Sequence, residues 1–411
     1  MAVRGEEVAR SETRRRNLSR MVLELHVGHP LSRSELAGRL HVDRSTVASL
    51  VAELKTRGFV RERRRSASIP QSPGRPSPVV ELRQEGPGVL AVDLATDWIC
   101  GALVGLGGKV TGSVRHDRPM ARVAPEKAVD EIERLVRPLL GGREYGPRIV
   151  AIGVSVPGLV RREDGFLHQA PALGWRDVPM GQLFRERFAS LGVPVFVGND
   201  ADLAAMAEHL RGSGRGANDF ISIWGHGGVG AGIIIGGQAL SGSAGYAGEI
   251  GHVAVDPNGE LCHCGARGCL EAKVGEEAIL RMSGRDPRGG SEGIDDLLAA
   301  AERGEPGALA ALSECGRWLG VSIGGLVNIF NPTRVSLGGL YARVYPYVKD
   351  AILAEIAVRA MPASRQMVDL TAARLGSNAV LLGAAELALA PTLQDPGAIP
   401  VGQEASSGRT H

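Results

Sequence analysis

His252, Cys262, Cys264 and Cys269 lie within one short string, EIGHVAVDPNGELCHCGARGCLE. Thiolate and imidazole are soft donors, and glycines 265 and 268 permit a tight knuckle, so these four can close a tetrahedral Cys3His site suited to Zn2+. Four protein ligands leave no open position, which points to a structural metal. His263 competes as a donor, but its place between two cysteines turns it away. The alternative is three ordinary buried thiols. Five cysteines in 411 residues are too few for a disulfide scaffold. Their clustering suits a reducing, cytoplasmic setting.

A second chemistry is electrostatic. The net charge of +2 hides 17 Lys+Arg against 10 Asp+Glu in residues 1–85, and 30 against 35 in the remainder. A basic head on a mildly acidic body suits a polyanion partner, although a solvated arginine-rich face has the same charge balance. The elements needed to present such a head are readable. Leu18, Met21, Val22 and Leu25 have helical spacing. Ser32 and Glu35 can form a capping box for a helix over 33–40, and Asp43 is an N-cap for a third helix ending at Gly58. Val60 and Val79–Leu82 then flank a basic, turn-rich stretch. Three helices and two strands around such a loop predict a winged helix-turn-helix over residues 1–86.

In that motif the first turn of the second helix meets base edges, which nominates Arg44, Ser45 and Thr46, with Ser49 one turn on. Arg44 suits a bidentate hold on guanine, and the hydroxyls can serve bases or phosphates. Arg61 and its neighbours would supply salt-sensitive phosphate affinity. Arg75, in a stiff Gly-Arg-Pro turn, suits a narrow minor groove. A helical protein-docking module with a basic loop is the alternative.

From Gly88 onward, apolar strand runs alternate with helical patterns: strands at 148–156, 193–197, 220–224 and 232–235, and helices at 125–140, 200–211, 273–283, 306–330, 345–358 and 377–390. That alternation predicts an α/β body over 87–391. Residues 392–411 read as a disordered tail. A mean hydropathy near zero with 44% apolar residues is ordinary globular composition. No apolar run is long enough for a membrane span, and the start lacks the apolar core of a secretory signal.

The metal string also carries a resemblance. C-x-C-G-x-x-G-C-x-E at Cys262–Glu271 and E-x-G-H at Glu249–His252 resemble the ROK family of bacterial sugar-responsive repressors and sugar kinases. Matching strings follow in family order: V-P-G-L-V at 156–160, G-N-D at 198–200, N-P-x-x-x-x-L-G-G at 331–339 and L-G-x-x-A-x-L-x-G-A-A at 375–385. The head resembles the repressor branch, with S-R-x-x-L-A at Ser32–Ala37 and G-R-P at Gly74–Pro76. The resemblance implies a two-lobed, actin-like (RNase H-like) body. Its smaller lobe would cover about 87–196 plus the C-terminal helix, and its larger lobe about 197–376. It also implies a sugar pocket between the lobes. There Asn199 and Asp200 grip ring hydroxyls, Glu249 and Glu271 accept hydroxyl hydrogens, and His252 touches both metal and sugar. Asp200 stands where the kinases keep their general base. The residue types agree, since carboxylates and amides suit a polyol. Even so, Asp200 as a mere helix cap and Glu249 as a solvated loop residue are the plainer alternatives.

The chain departs from the kinases at both phosphate turns. D-x-G-G-T reads Asp93-Leu94-Ala95-Thr96-Asp97, and G-T-G-x-G reads His226-Gly227-Gly228-Val229-Gly230. A phosphate cradle needs free backbone N–H groups and no adjacent anion, so ATP use is expected to be lost. Ala172 also stands where the kinases carry a sugar-touching Asn. The expectation is a DNA-binding repressor rather than an enzyme, gated by a sugar or sugar derivative. It would act as a homodimer or dimer of dimers on a double-stranded operator, with no membrane partner. An active sugar kinase with a DNA-binding head, or a constitutive DNA-binding or docking module with a vestigial pocket, are the competing readings.

Overall fold

The computed structural model describes residues 2–63, 78–141 and 146–400, with side chains from Ser11 onward. The head comprises α1 (Ala2–Val27), β1 (Leu31–Ser32), α2 (Arg33–Leu40), α3 (Arg44–Thr56), β2 (Val60–Arg63) and β3 (Val79–Leu82). The Ser32 hydroxyl accepts from the Glu35 N–H while the Glu35 carboxylate accepts from the Ser32 N–H, which starts α2 with a reciprocal cap. Asp43 accepts from the Thr46 N–H at 2.7 Å and starts α3. Met21, Leu36, Val47, Leu50, Val51 and Leu54 bury one face of each helix against Phe59 and Val80. Each such side chain contributes about 1.5–3 kcal/mol of transfer free energy. The strands pair antiparallel in the order β1-β3-β2. Arg64, Arg65 and Arg75 lie outside the described residues.

The body holds two five-stranded mixed sheets. The first, in the order β11-β7-β4-β5-β6, uses β4 (Pro87–Leu94), β5 (Trp98–Gly105), β6 (Lys109–Asp117), β7 (Arg148–Val156) and β11 (Val195–Asn199). α4 (Pro125–Gly141) and α5 (Met180–Arg187) belong to the same half, as does a small antiparallel sheet of β8 (Leu159–Arg161), β9 (Phe166–Ala170) and β10 (Trp175–Val178). Every residue of β4 is buried, as expected of a central strand covered on both faces. α6 (Asp200–Arg211) leads to the second sheet, whose order is β14-β13-β12-β15-β16. Its strands are β12 (Phe220–His226), β13 (Gly228–Ile235), β14 (Gln238–Ala239), β15 (Arg334–Gly339) and β16 (Asp369–Ala372). The helices of this half are α7 (Leu270–Val274), α8 (Glu276–Met282), α9 (Gly290–Glu302), α10 (Pro306–Phe330), α11 (Leu340–Arg359) and α12 (Pro362–Met367), and α13 (Ala379–Gln394) closes the chain.

Three sequence expectations need correction. The helix expected over 273–283 is two, α7 and α8, because Gly275 adopts φ −63°, ψ 161° between them. Residues 392–400 are not a disordered tail: α13 runs to Gln394, and the carbonyls of Ile399 and Pro400 accept from Arg57 and Arg148. Residues 401–411 lie outside the described residues. The division at 196/197 cuts through β11, which stays in the first sheet to Asn199.

α6 and α13 cross between the two sheets at very close range. A Cβ built on Gly383 of α13 would lie 1.9 Å from the Leu203 carbonyl oxygen of α6. Gly383→Ala must therefore push two backbones apart, and overpacking of this kind costs about 1–3 kcal/mol. The prediction is a fall of that size in unfolding free energy by urea titration.

Candidate functional site

The metal string folds as the spacing requires. Ile250–His252 form a single 3-10 turn, and short bridges pair Ala254 with Cys269 and Leu261 with Arg267. Gly265 turns the chain at φ +94°, letting its N–H reach the Cys262 carbonyl at 2.9 Å. Gly268, at φ +71°, packs so closely on the Asp256 carbonyl that no side chain fits. Lys273 ties the loop down through Asp256 at 2.9 Å and lies over the Trp318 ring.

The donor atoms of His252, Cys262, Cys264 and Cys269 all lie within 4.8 Å of one another. Cys264 and Cys269 sulfurs are 3.7 Å apart, and Cys262 Sγ is 3.8 Å from His252 Nδ1. A tetrahedron with metal–sulfur bonds of about 2.3 Å has edges of about 3.8 Å, so the set fits a metal ion. His263 is exposed and outside this cluster. The use of Nδ1 toward the cysteines leaves His252 Nε2 on the other side, 4.0 Å from Glu249.

The remaining candidates gather around the first turn of α6. Asn199 is the N-cap: its Oδ1 accepts from the N–H groups of Ala201 (2.8 Å) and Asp202 (3.1 Å), and its Nδ2 donates to the Gly158 carbonyl. One amide hydrogen remains for a ligand. Asp200 is therefore not the cap, and its contact with the Ala201 N–H uses one oxygen only. Burial pushes Asp200 up to about 6, with Asp93 adding to the rise and His226 opposing it. Glu249 is also raised, chiefly by burial, with Asp200 and Glu271 adding to it against His252. Glu271 is already committed: its Oε2 accepts from the Val229 N–H at 3.0 Å, and its Oε1 lies 3.7 Å from Cys262 Sγ. It fastens the metal knuckle to the β12–β13 hairpin. Ala172 sits exposed in the turn at 171–174.

Sequence reasoning missed Asp202, one residue past the G-N-D string. Burial pushes it up to about 7, with Glu249 adding to the shift, Arg162 opposing it and Asp200 adding again. Two carboxylates in the first turn of a helix were the available signal.

The two altered phosphate turns face each other. His226 Nε2 lies 3.1 Å from Asp97 Oδ1, and the His226 ring packs on Trp98 at 4.4 Å between centroids. Trp98 Nε1 donates to the buried Asp93 at 3.0 Å. Burial lowers the His226 imidazole, but Asp97, Asp200 and Asp93 outweigh it and hold it above its usual value. The Asp97–His226 pair thus spans the gap between the two turns.

In the head, the Ser45 and Thr46 hydroxyls both donate to Asp43, at 2.5 and 2.8 Å. Asp43 is held well below the carboxylate range by those bonds, Ser45's the largest. With both hydroxyl protons directed to Asp43, the two oxygens are presented as acceptors. Ser49 accepts from Arg14. Arg61 pairs with Glu81 at 2.8 Å yet keeps half its side chain exposed. Arg44 is exposed and without a partner among the described residues.

Residues 89–390 match the ROK family. The chain belongs to that family. It is 28% identical to a xylose repressor of Bacillus spizizenii over 91% of this chain and 94% of the relative. It is 32% identical to a glucokinase of Streptomyces coelicolor over 74% of this chain and 98% of the relative. A crystal structure of a ROK family transcriptional regulator, a homolog of the E. coli Mlc protein, superposes with TM-score 0.76 at 28% identity, covering 93% of this chain and 97% of that one. The repressor-type matches extend through the head, whereas the glucokinase spans nearly its whole length on about three quarters of this chain.

Two outcomes follow from this geometry. Elemental analysis should find about one tightly bound metal per chain, lost in Cys262→Ser because three donors bind far more weakly than four. The raised Asp202 costs stability only when ionised, so the cost is absent below pH 4 and grows until about pH 7. Asp202→Asn should leave the melting temperature unchanged at pH 4 and raise it at pH 8.

Proposed function

We propose that the chain is a DNA-binding transcriptional repressor whose operator affinity is set by a sugar or sugar derivative bound beside α6. The observation that carries this reading is the likeness to regulators through the head as well as the body. Arg44 at the start of α3 would read a base edge, with Arg61 and Arg75 adding phosphate or minor-groove affinity. Asn199, Asp200, Glu249 and His252 Nε2 would hydrogen-bond ring hydroxyls, with Glu271 holding the knuckle in place. Zinc is the ion proposed for His252, Cys262, Cys264 and Cys269, fixing which face His252 turns to the sugar. The reading places the protein in the cytoplasm as a homodimer or dimer of dimers on a two-fold operator. No helix among the described residues is long and apolar enough to cross a membrane.

A second reading, an active sugar kinase, is favoured by Asp200 and by the glucokinase likeness. The Asp97–His226 pair across the phosphate turns weighs against it, and so does the added head.

The test is binding to a DNA site selected by the protein from a random pool. Arg44→Ala should weaken that site about 10- to 100-fold while leaving nonspecific binding intact. Undiminished specific affinity contradicts the assignment of Arg44.

A further inference from the structure

α6 is held at its far end as firmly as at its first turn. Arg211, its last residue, donates from Nε and Nη2 to Glu386 Oε1 of α13, at 2.8 and 2.5 Å. Its Nη1 donates to two backbone carbonyls, His26 at 3.2 Å and Gly107 at 3.0 Å. The Gly107 N–H donates to His26 Nδ1 at 2.9 Å, and His26 Nε2 lies 2.8 Å from Glu386 Oε2 and 2.6 Å from Arg211 Nη2. His26 and Glu386 are almost wholly buried, at 1% and 2% side-chain exposure. A Cβ on Gly108 would lie 2.5 Å from Arg211 Nε, so glycine is what admits the guanidinium. Just beyond α6, Arg215 donates to the Val27 carbonyl. The last carbonyls of α1, which a helix leaves without internal partners, are thus taken up by arginines of the α6 segment.

Four segments meet here: α1 of the head, the 106–108 turn of the first sheet, α6 and α13. Burial alone would raise the Glu386 carboxyl, yet the His26 ring and the Arg211 guanidinium hold it below the usual range. A buried carboxylate cannot shed one partner cheaply, so the cluster moves as a unit or breaks. α6 is 12 residues long, a rod of about 18 Å. Asn199, Asp200 and Asp202 are at one end and the joint is at the other.

We infer that the His26–Arg211–Glu386 joint transmits ligand closure at the first turn of α6 to α1, re-aiming the DNA-binding head. This rests on the proposed sugar site and adds the residues by which it would regulate. His26, Arg211 and Glu386 are positioning residues, since none lies at the metal knuckle or the first turn of α6.

The variants are Glu386→Gln and the double Arg211→Met/Glu386→Leu, which removes both charges and so leaves no orphaned ion if the single change fails to fold. Sugar binding by calorimetry and affinity for the selected DNA site would be measured with D-xylose, D-glucose and N-acetyl-D-glucosamine as probes. In the native protein a bound sugar should change DNA affinity by about tenfold or more. In the variants that ratio should fall to within about twofold, with sugar affinity and sugar-free DNA affinity within about threefold of native. A ratio equal to the native one overturns the joint. Absence of any sugar effect in the native protein defeats the ligand reading instead. Sugar-free amide exchange at Met21–Val27 then decides the joint: exchange about tenfold faster in the variants supports it as the link between head and α6, and unchanged exchange overturns it.

Discussion

The close crossing of α6 and α13 is the constraint on which the rest of the molecule depends. α13 lies on the first sheet, while α6 springs from the end of that sheet's edge strand, β11, and lies against β12 and β13 of the second. Gly383 lets the two helices touch backbone to backbone, so the two sheets share one buried seam. That seam fixes where the first turn of α6 opens toward Glu249 and His252. It also places Arg211 and Glu386 under the C-terminus of α1. The head shares this seam, because the apolar faces of α1 and α13 belong to one continuous core.

Around the seam, the candidate chemistry is divided between the Cys3His knuckle and the first turn of α6. The Cys3His knuckle, braced by Glu271 and Lys273, holds one imidazole nitrogen and presents the other. Asp200, Asp202 and Glu249, each half-buried, have raised affinities for protons through desolvation, with neighbouring carboxylates adding to the rise. Such carboxylates lose little on meeting hydroxyl donors, which stabilise the ionised form without bringing a charge. The Asp97–His226 pair brings the two hairpins together by an internal contact. On the proposed reading, a scaffold shared with glucokinase relatives keeps a cleft for hydroxyls while this pair occupies the approach to the phosphate turns.

Local signals in the sequence were dependable. Ser32, Glu35 and Asp43 cap the helices that their spacing announced, and the thiol string closes the cluster its glycines permit. α4, α6 and α10 begin within a residue of their expected starts because their apolar periodicity and first-turn residues agree. What stayed hidden was set by tertiary contact. The break at Gly275 follows from the path between α7 and α8, and the order of residues 395–400 follows from Arg57 and Arg148 reaching their carbonyls. The His26–Glu386 contact joins residues 360 positions apart, which no local pattern encodes. Asp202 and His226 carry ordinary surface residue types. Only the fold shows that one is half-buried within reach of Glu249's charge and the other set among carboxylates.

The proposed cleft takes a sugar-like polyol and excludes nucleotide phosphates. The decisive measurement is calorimetric titration of the zinc-loaded protein with each probe sugar and with Mg-AMPPNP, the nucleotide both alone and in the presence of each sugar. Heat is expected from at least one sugar and none from the nucleotide up to millimolar concentration. Saturable nucleotide binding that strengthens with sugar would contradict it and restore the kinase.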